Sequence, residues 1–311
     1  MNMYSHSIVG QVMAGRFSWS LPLSPPTSAP PVYREVALPQ GTVRYRDEGE
    51  GPPLVFVHGI VANSTLWREV IPLLRGSFRC IAPDLPLGGH AYPMRPNADQ
   101  SPGGVARLLA DLLEALDLRD VTLVGNDTGG AICQVTIARH PARIARLVLT
   151  NCDAYEAFFP WSLSPFHHGA RLFGARFVDA LAWALRARAA QRVLLWTVAL
   201  RRMDAATLDA YFGPILREAG VRRDLTRFLA AVSNRYTLEA ARAFPDFQHP
   251  VLIVWGRNDV FFSARYAVRL QKDFPDATLA FVSPSRAFVP EDQPDALARH
   301  ITGFVGAASH A

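Results

Sequence analysis

Gly125-Asn126-Asp127-Thr128-Gly129-Gly130 places one carboxyl among small residues. The segment follows the apolar run Val121 to Val124 and opens a helical pattern containing Ile132 and Val135. A G-x-D-x-G form at such a junction makes a sharp elbow, which lifts the central side chain clear of the backbone beside the positive end of the next helix. That position stabilises an anion or a nucleophile and points a backbone N–H at a developing oxyanion. A carboxyl enclosed in an apolar pocket also has a raised pKa, which suits it to general acid–base work. Two further aspartates end apolar runs: Asp259 in Trp255-Gly256-Arg257-Asn258-Asp259, and Asp153 in Asn151-Cys152-Asp153. The plain structural readings of the two are a turn aspartate and a helix N-cap, respectively.

The elements that position these groups follow from hydrophobic spacing. Val43 to Asp47 alternates as a half-exposed strand. Leu54 to Val57, Cys80 to Ala82, Val121 to Val124, Leu147 to Leu149, Val251 to Trp255 and Leu279 to Val282 are continuous apolar runs, as in strands buried on both faces. Between them lie helical patterns, including Leu108, Leu109, Leu112, Leu113 and Leu116. The alternation predicts an α/β fold, a mostly parallel sheet flanked by helices. From 153 to 244 no buried strand appears and the pattern is helical, so this stretch is expected to be an inserted cap that roofs a pocket and keeps water from it. The core is expected over 33–152 and 245–311. Pro22, Pro25, Pro26, Pro30 and Pro31 predict a mobile arm over 1–32. That arm has no convincing secretory signal, and cytoplasm is the default expectation.

With the elbow, His58-Gly59, Pro83-Asp84-Leu85, Gly88-Gly89 and the Trp255 to Asp259 segment in place, the chain from about Tyr33 to Val305 resembles the α/β-hydrolase superfamily. The similarity is to its aspartate-nucleophile branch, that of haloalkane dehalogenases and epoxide hydrolases. The resemblance implies Asp127 as nucleophile, Asp259 as orienting acid in preference to a turn aspartate, and the amides of Ile60 and Thr128 as the oxyanion hole, with Gly125 and Gly129 as the elbow glycines; some relatives carry the acid where Asp153 stands, which is read instead as a helix N-cap. His58 is read as a prop for its loop. The family's base is a histidine after the last strand. Here Ser285-Arg286-Ala287-Phe288-Val289-Pro290-Glu291 matches the flanks, and Ala287 stands at the histidine position. No histidine lies between His249 and His300. His90, His167 and His168 are each read as an ordinary exposed or core histidine rather than a displaced base.

Other departures concern the substrate. Thr128 replaces the tryptophan that holds a halide in haloalkane dehalogenases, and Val61 replaces an epoxide-hydrolase proline. Tyr155, Tyr211 and Tyr236 are candidates for the cap tyrosines of epoxide hydrolases. Trp161, Trp183 and Trp196 are read as an apolar roof or as core. The expected function is hydrolysis of a small apolar organic molecule (an ester, epoxide or alkyl halide) through an aspartate nucleophile. The alternatives are a proton-transfer or lyase enzyme on the same scaffold, or a catalytically silent ligand-binding homologue.

Composition bounds these readings. The chain has 311 residues, of which 50% are hydrophobic and 19% charged, which excludes a disordered chain. Three cysteines, Cys80, Cys133 and Cys152, sit in apolar runs and exclude a disulfide scaffold. The net charge is +5, and Lys272 is the only lysine among 32 basic residues. The arginines are scattered, densest at Arg186, Arg188, Arg192, Arg201 and Arg202, which reads as a composition bias and not as a nucleic-acid face. No apolar run approaches the ~18 residues that span a bilayer, and no membrane partner is expected. No metal site or cofactor is expected: His167 and His168 are adjacent and read as pointing apart, and no phosphate loop or dinucleotide fingerprint is present.

Overall fold

A computed structural model describes residues 31–308 of the chain. The arm expected over 1–32 therefore lies, up to residue 30, outside the described residues. The strands are β1 (Tyr33–Leu38), β2 (Gly41–Glu48), β3 (Pro53–Val57), β4 (Arg79–Pro83), β5 (Val121–Asp127), β6 (Ile144–Cys152), β7 (Val251–Gly256) and β8 (Ala277–Val282). They form one eight-stranded sheet in the order β1-β2-β4-β3-β5-β6-β7-β8. From β4 to β8 every pairing is parallel, whereas β1 with β2 and β2 with β4 are antiparallel.

Before β6 the helices are α1 (Ile71–Leu74), α2 (Pro102–Ala115) and α3 (Thr128–Arg139). Between β6 and β7 lie α4 (Ser164–Phe173), α5 (Ala175–Ala184), α6 (Arg188–Val198), α7 (Ala205–Arg217), α8 (Ala219–Ala231) and α9 (Arg235–Arg242). After β7 come α10 (Ala264–Asp273), α11 (Val289–Asp292) and α12 (Pro294–Ala308). Helices α2 and α3 pack against one another, and α1 packs against α12. Because helices cover the sheet, every residue of β5 and β7 is buried. The apolar runs of the central strands are thus explained by burial on both faces. Ser101 caps α2 by accepting from the Gly104 amide at 3.1 Å, and Asp204 caps α7 by accepting from the Thr207 amide at 2.8 Å.

Two features mark the end of the sheet that carries the elbow. The register of β5 on β6 shifts between Gly125 and Asp127, just where the strand stops and α3 begins. The parallel strands β3, β5, β6 and β7 also end side by side, so the loops following them gather at one edge, as open α/β sheets do for ligands.

Candidate active site

Asp127 occupies a left-handed, sparsely populated backbone conformation, with φ 56° and ψ −135°. A non-glycine residue held there is strained by about 1–3 kcal/mol and persists only where its surroundings over-determine it. Those surroundings are close backbone contacts. A Cβ on Gly129 would lie 2.2 Å from the Val57 carbonyl oxygen, so α3 could not start this near β3 with any other residue. A Cβ on Gly59 would lie 1.9 Å from Oδ2 of Asp127, so the loop after β3 can reach the carboxyl only as glycine.

The amides of Ile60 and Thr128 both donate to the Asp127 carboxyl. Burial nevertheless raises its pKa to about 7; the two amides pull it down and the nearby charge of Asp259 pushes it further up. Asp127 also fronts a cavity of about 80 Å3. Ile60, Phe261 and Phe288 wall it from the core side, and Phe166, Leu181 and Leu194 from the helices between β6 and β7. Among the described residues Asp127 is its only charged lining group. In such a setting an unpaired carboxylate is costly, which explains the direction of the shift.

Asp259 lies apart from this cavity and opens on a neighbouring cleft with Glu156 and Tyr266. Its carboxylate accepts from Asn151 Nδ2 at 2.7 Å and from the Phe261 amide at 2.8 Å. Burial raises its pKa, and the Phe261 amide and Asn151 partly offset that. Asn151 also bridges both backbone groups of Gly256, and Asn126 Nδ2 donates to Ala287 O and to Thr150 Oγ1, each at 2.7 Å. These two asparagines lock the elbow to the ends of β6 and β7 and to the loop after β8. Their role was not read from the sequence, although both flank aspartates singled out there. Ala287 itself is fully buried.

Three readings need correction. Asp153 caps no helix: it is fully buried, its Oδ2 accepts from Thr128 Oγ1 at 3.0 Å, and its Oδ1 has no partner. Burial first, and Asp127 second, push its pKa well above the usual carboxylate range. Trp161, Trp183 and Trp196 are neither roof nor core, being 87%, 72% and 63% exposed. The rings of His167 and His168 do not point apart; their centroids are 4.0 Å from one another.

No histidine lines the cavity among the described residues. His58 is fully buried: its Nε2 accepts from the Leu85 amide and its Nδ1 donates to Gly59 O, both at 2.8 Å. Burial lowers its pKa to about 4, so it is a neutral prop for the loop carrying Gly59 and Ile60. His90 is held between the Gly88 amide and Asp224. Of the tyrosines considered, Tyr211 reaches the cavity wall, where its hydroxyl donates to buried Glu291 at 2.7 Å. Arg68 forms a bidentate pair with the same carboxylate. Tyr155 instead donates to Asp273, and Tyr236 lies under Arg139 and Arg235. No group of His, Cys, Asp and Glu among the described residues is arranged to hold a metal.

The strained elbow, two convergent amides and a sheet of this strand order define an α/β-hydrolase architecture. The family model for the alpha/beta hydrolase fold matches residues 52–294, and the chain belongs to that family. Haloalkane dehalogenase 2 of Mycobacterium bovis is 28% identical over 272 residues, covering 84% of this chain and 91% of the relative. The cis-3-alkyl-4-alkyloxetan-2-one decarboxylase of Shewanella oneidensis is 28% identical over 297 residues, covering 85% of each. Among solved structures, haloalkane dehalogenase DbeA from Bradyrhizobium elkani superposes with a TM-score of 0.74 at 21% identity, over 90% of this chain and 99% of that one, a likeness of fold.

Proposed function

We propose that Asp127 is the nucleophile of a hydrolase-type enzyme acting on a small apolar organic molecule with an electrophilic carbon, an ester, an epoxide or an alkyl halide. The observation that carries this is a single charged group, on a strained elbow and held by two amides, facing an otherwise apolar cavity. With an epoxide or alkyl halide, a carboxylate oxygen forms a bond to carbon. The carbon–oxygen or carbon–halogen bond breaks with its electron pair, and the alkoxide takes a proton or the halide departs. When water then attacks the resulting ester, the oxyanion develops beside the Ile60 and Thr128 amides. Asp259 stands as a supporting acid, steadied by Asn151.

The second step lacks its base. Ala287 takes the place of the family histidine, and no imidazole among the described residues lines the cavity. General-base assistance is worth about 10²–10⁴-fold, so ester release is expected to be slower by that order. In an assay of bromide release from a small alkyl bromide, the expected result is a burst of about one equivalent followed by a slow steady phase, whereas diol release from an epoxide, which waits on cleavage of the ester, shows the slow phase alone. Asp127→Asn removes the burst. Fast turnover with no burst, unchanged in Asp127→Asn, overturns the reading.

A second reading has one observation in its favour. A carboxyl near pH 7 can both give and accept a proton at neutrality, which fits a proton-transfer or lyase enzyme. It predicts turnover that Asp127→Asn abolishes, with no burst and no covalent adduct. Tight binding of an apolar ligand without any turnover would instead return the ligand-binding alternative.

A further inference from the structure

Helices α4, α5 and α6 are apolar on both sides. Inward, Phe166, Leu181 and Leu194 wall the cavity. Outward, Leu172, Phe173, Trp183, Val193 and Trp196, with Trp161 in the turn just before α4, are 61–87% exposed, within one stretch of chain. A soluble surface helix normally turns its second face to water with polar groups. Elsewhere among the described residues the large exposed apolar side chains are scattered, such as Leu73, Tyr92 and Val268. Helices α4 and α5 pack on one another, Phe166 meeting Phe177 edge-on with ring centroids 6.3 Å apart, and α6 joins them at the cavity wall through Leu194.

Charge selects the occupant of this face. Residues 161–202 contain seven arginines and one acid, Asp179. Asp179 pairs with Arg222, and Arg188 pairs with Asp209. Arg171, Arg176, Arg186, Arg192, Arg201 and Arg202 are exposed and form no ion pair with an acidic side chain among the described residues. On other elements the exposed arginines are mixed: Arg139 meets Glu239 and Arg269 meets Glu156, while Arg242, Arg257 and Arg299 form no ion pair among the described residues. A second copy of this chain seated face to face would set these unpaired arginines against each other, which disfavours self-association. Tryptophan and phenylalanine among arginines is the composition of helices that lie in a membrane interface, with aromatic rings at headgroup level and guanidinium groups on anionic headgroups.

We propose that the outer face of α4, α5 and α6 docks on the surface of an anionic phospholipid bilayer. No helix among the described residues is long and apolar enough to cross a membrane, and lying on a surface requires none. The expectation of no membrane partner rested on the absence of a spanning run, which concerns crossing alone. Docking does not depend on the chemistry at Asp127, and its test leaves that chemistry untouched.

The full chain is mixed with vesicles of phosphatidylcholine alone, or of phosphatidylcholine with a third phosphatidylglycerol, and floated on a density gradient. The expected result is flotation with the anionic vesicles only, reversed by high salt, with a blue shift of tryptophan emission. Arg192→Glu with Arg202→Glu, and separately Trp183→Ser with Trp196→Ser, each lower the bound fraction at least tenfold. All four positions are exposed, so thermal melts stay unchanged. Absence of flotation with anionic vesicles overturns the proposal. So does a dimer in solution that the tryptophan substitutions dissociate, since the face would then be covered by a second copy.

Discussion

A carboxyl pKa of about 7 makes Asp127 a residue whose charge opposes folding. Its folded pKa lies above the unfolded one, near 3.8, so the native state binds the extra proton between these values. Stability therefore falls as pH rises from about 4 to 7, and the full penalty stands above pH 7. Asp127→Asn is expected to be more stable than the parent at neutral pH, with the difference growing by about 2 kcal/mol between pH 5 and pH 8. Urea melts at the two pH values measure it; an unchanged difference would mean that the carboxyl is not held near neutrality. The complementary substitution is Ala287→His, which supplies an imidazole beside the elbow. It is expected to raise steady-state turnover at least tenfold while leaving the burst in place. If circular dichroism shows an intact fold and turnover does not rise, position 287 is not where the proposed mechanism lacks its base.

At the level of elements, the site depends on how closely the loop after β3 approaches the start of α3. Gly59→Ala would drive its methyl into Asp127 Oδ2. Overpacking of that kind is worth roughly 1–3 kcal/mol, and it should also lift the Ile60 amide off the carboxyl and abolish the burst. Differential scanning calorimetry and the release assay check the two effects separately. The elements themselves were largely legible because β3, β5 and β7 are buried on both faces, which leaves a continuous apolar run in the sequence. The first strand was not read, since Tyr33–Leu38 is mostly exposed and its alternation is faint; its pairing with β2 defines it. Asp127 was legible because small neighbours mark an elbow. Asp153 was misread because capping preference is a local rule, whereas its partner Thr128 lies 25 residues away. The three tryptophans were misread because residue type speaks for burial and only packing decides it.

Across the whole molecule, one buried carboxylate joins core and roof. Glu291 on α11 receives Arg68 from the segment after β3 and the Tyr211 hydroxyl from α7. Removing one partner of a buried ion pair strands the other, and Glu291→Ala is expected to lower stability by about 3–5 kcal/mol. Chemical denaturation measures this, and a loss below about 1 kcal/mol would show the pair to be dispensable. The same roof helices turn an apolar face to the cavity and an arginine-rich apolar face outward, so access to Asp127 and docking of the molecule use one set of elements. What unites these features is the buried Asp127 carboxyl, proposed above as the nucleophile. Its most direct test is the mass of the proteolytic peptide containing Asp127 after the intact protein has been exposed to a small alkyl bromide or epoxide. This peptide is expected to gain one alkyl or hydroxyalkyl group and to keep it long after free reagent is removed. Product release with that peptide unlabelled throughout, or a label carried by a different residue, would contradict it.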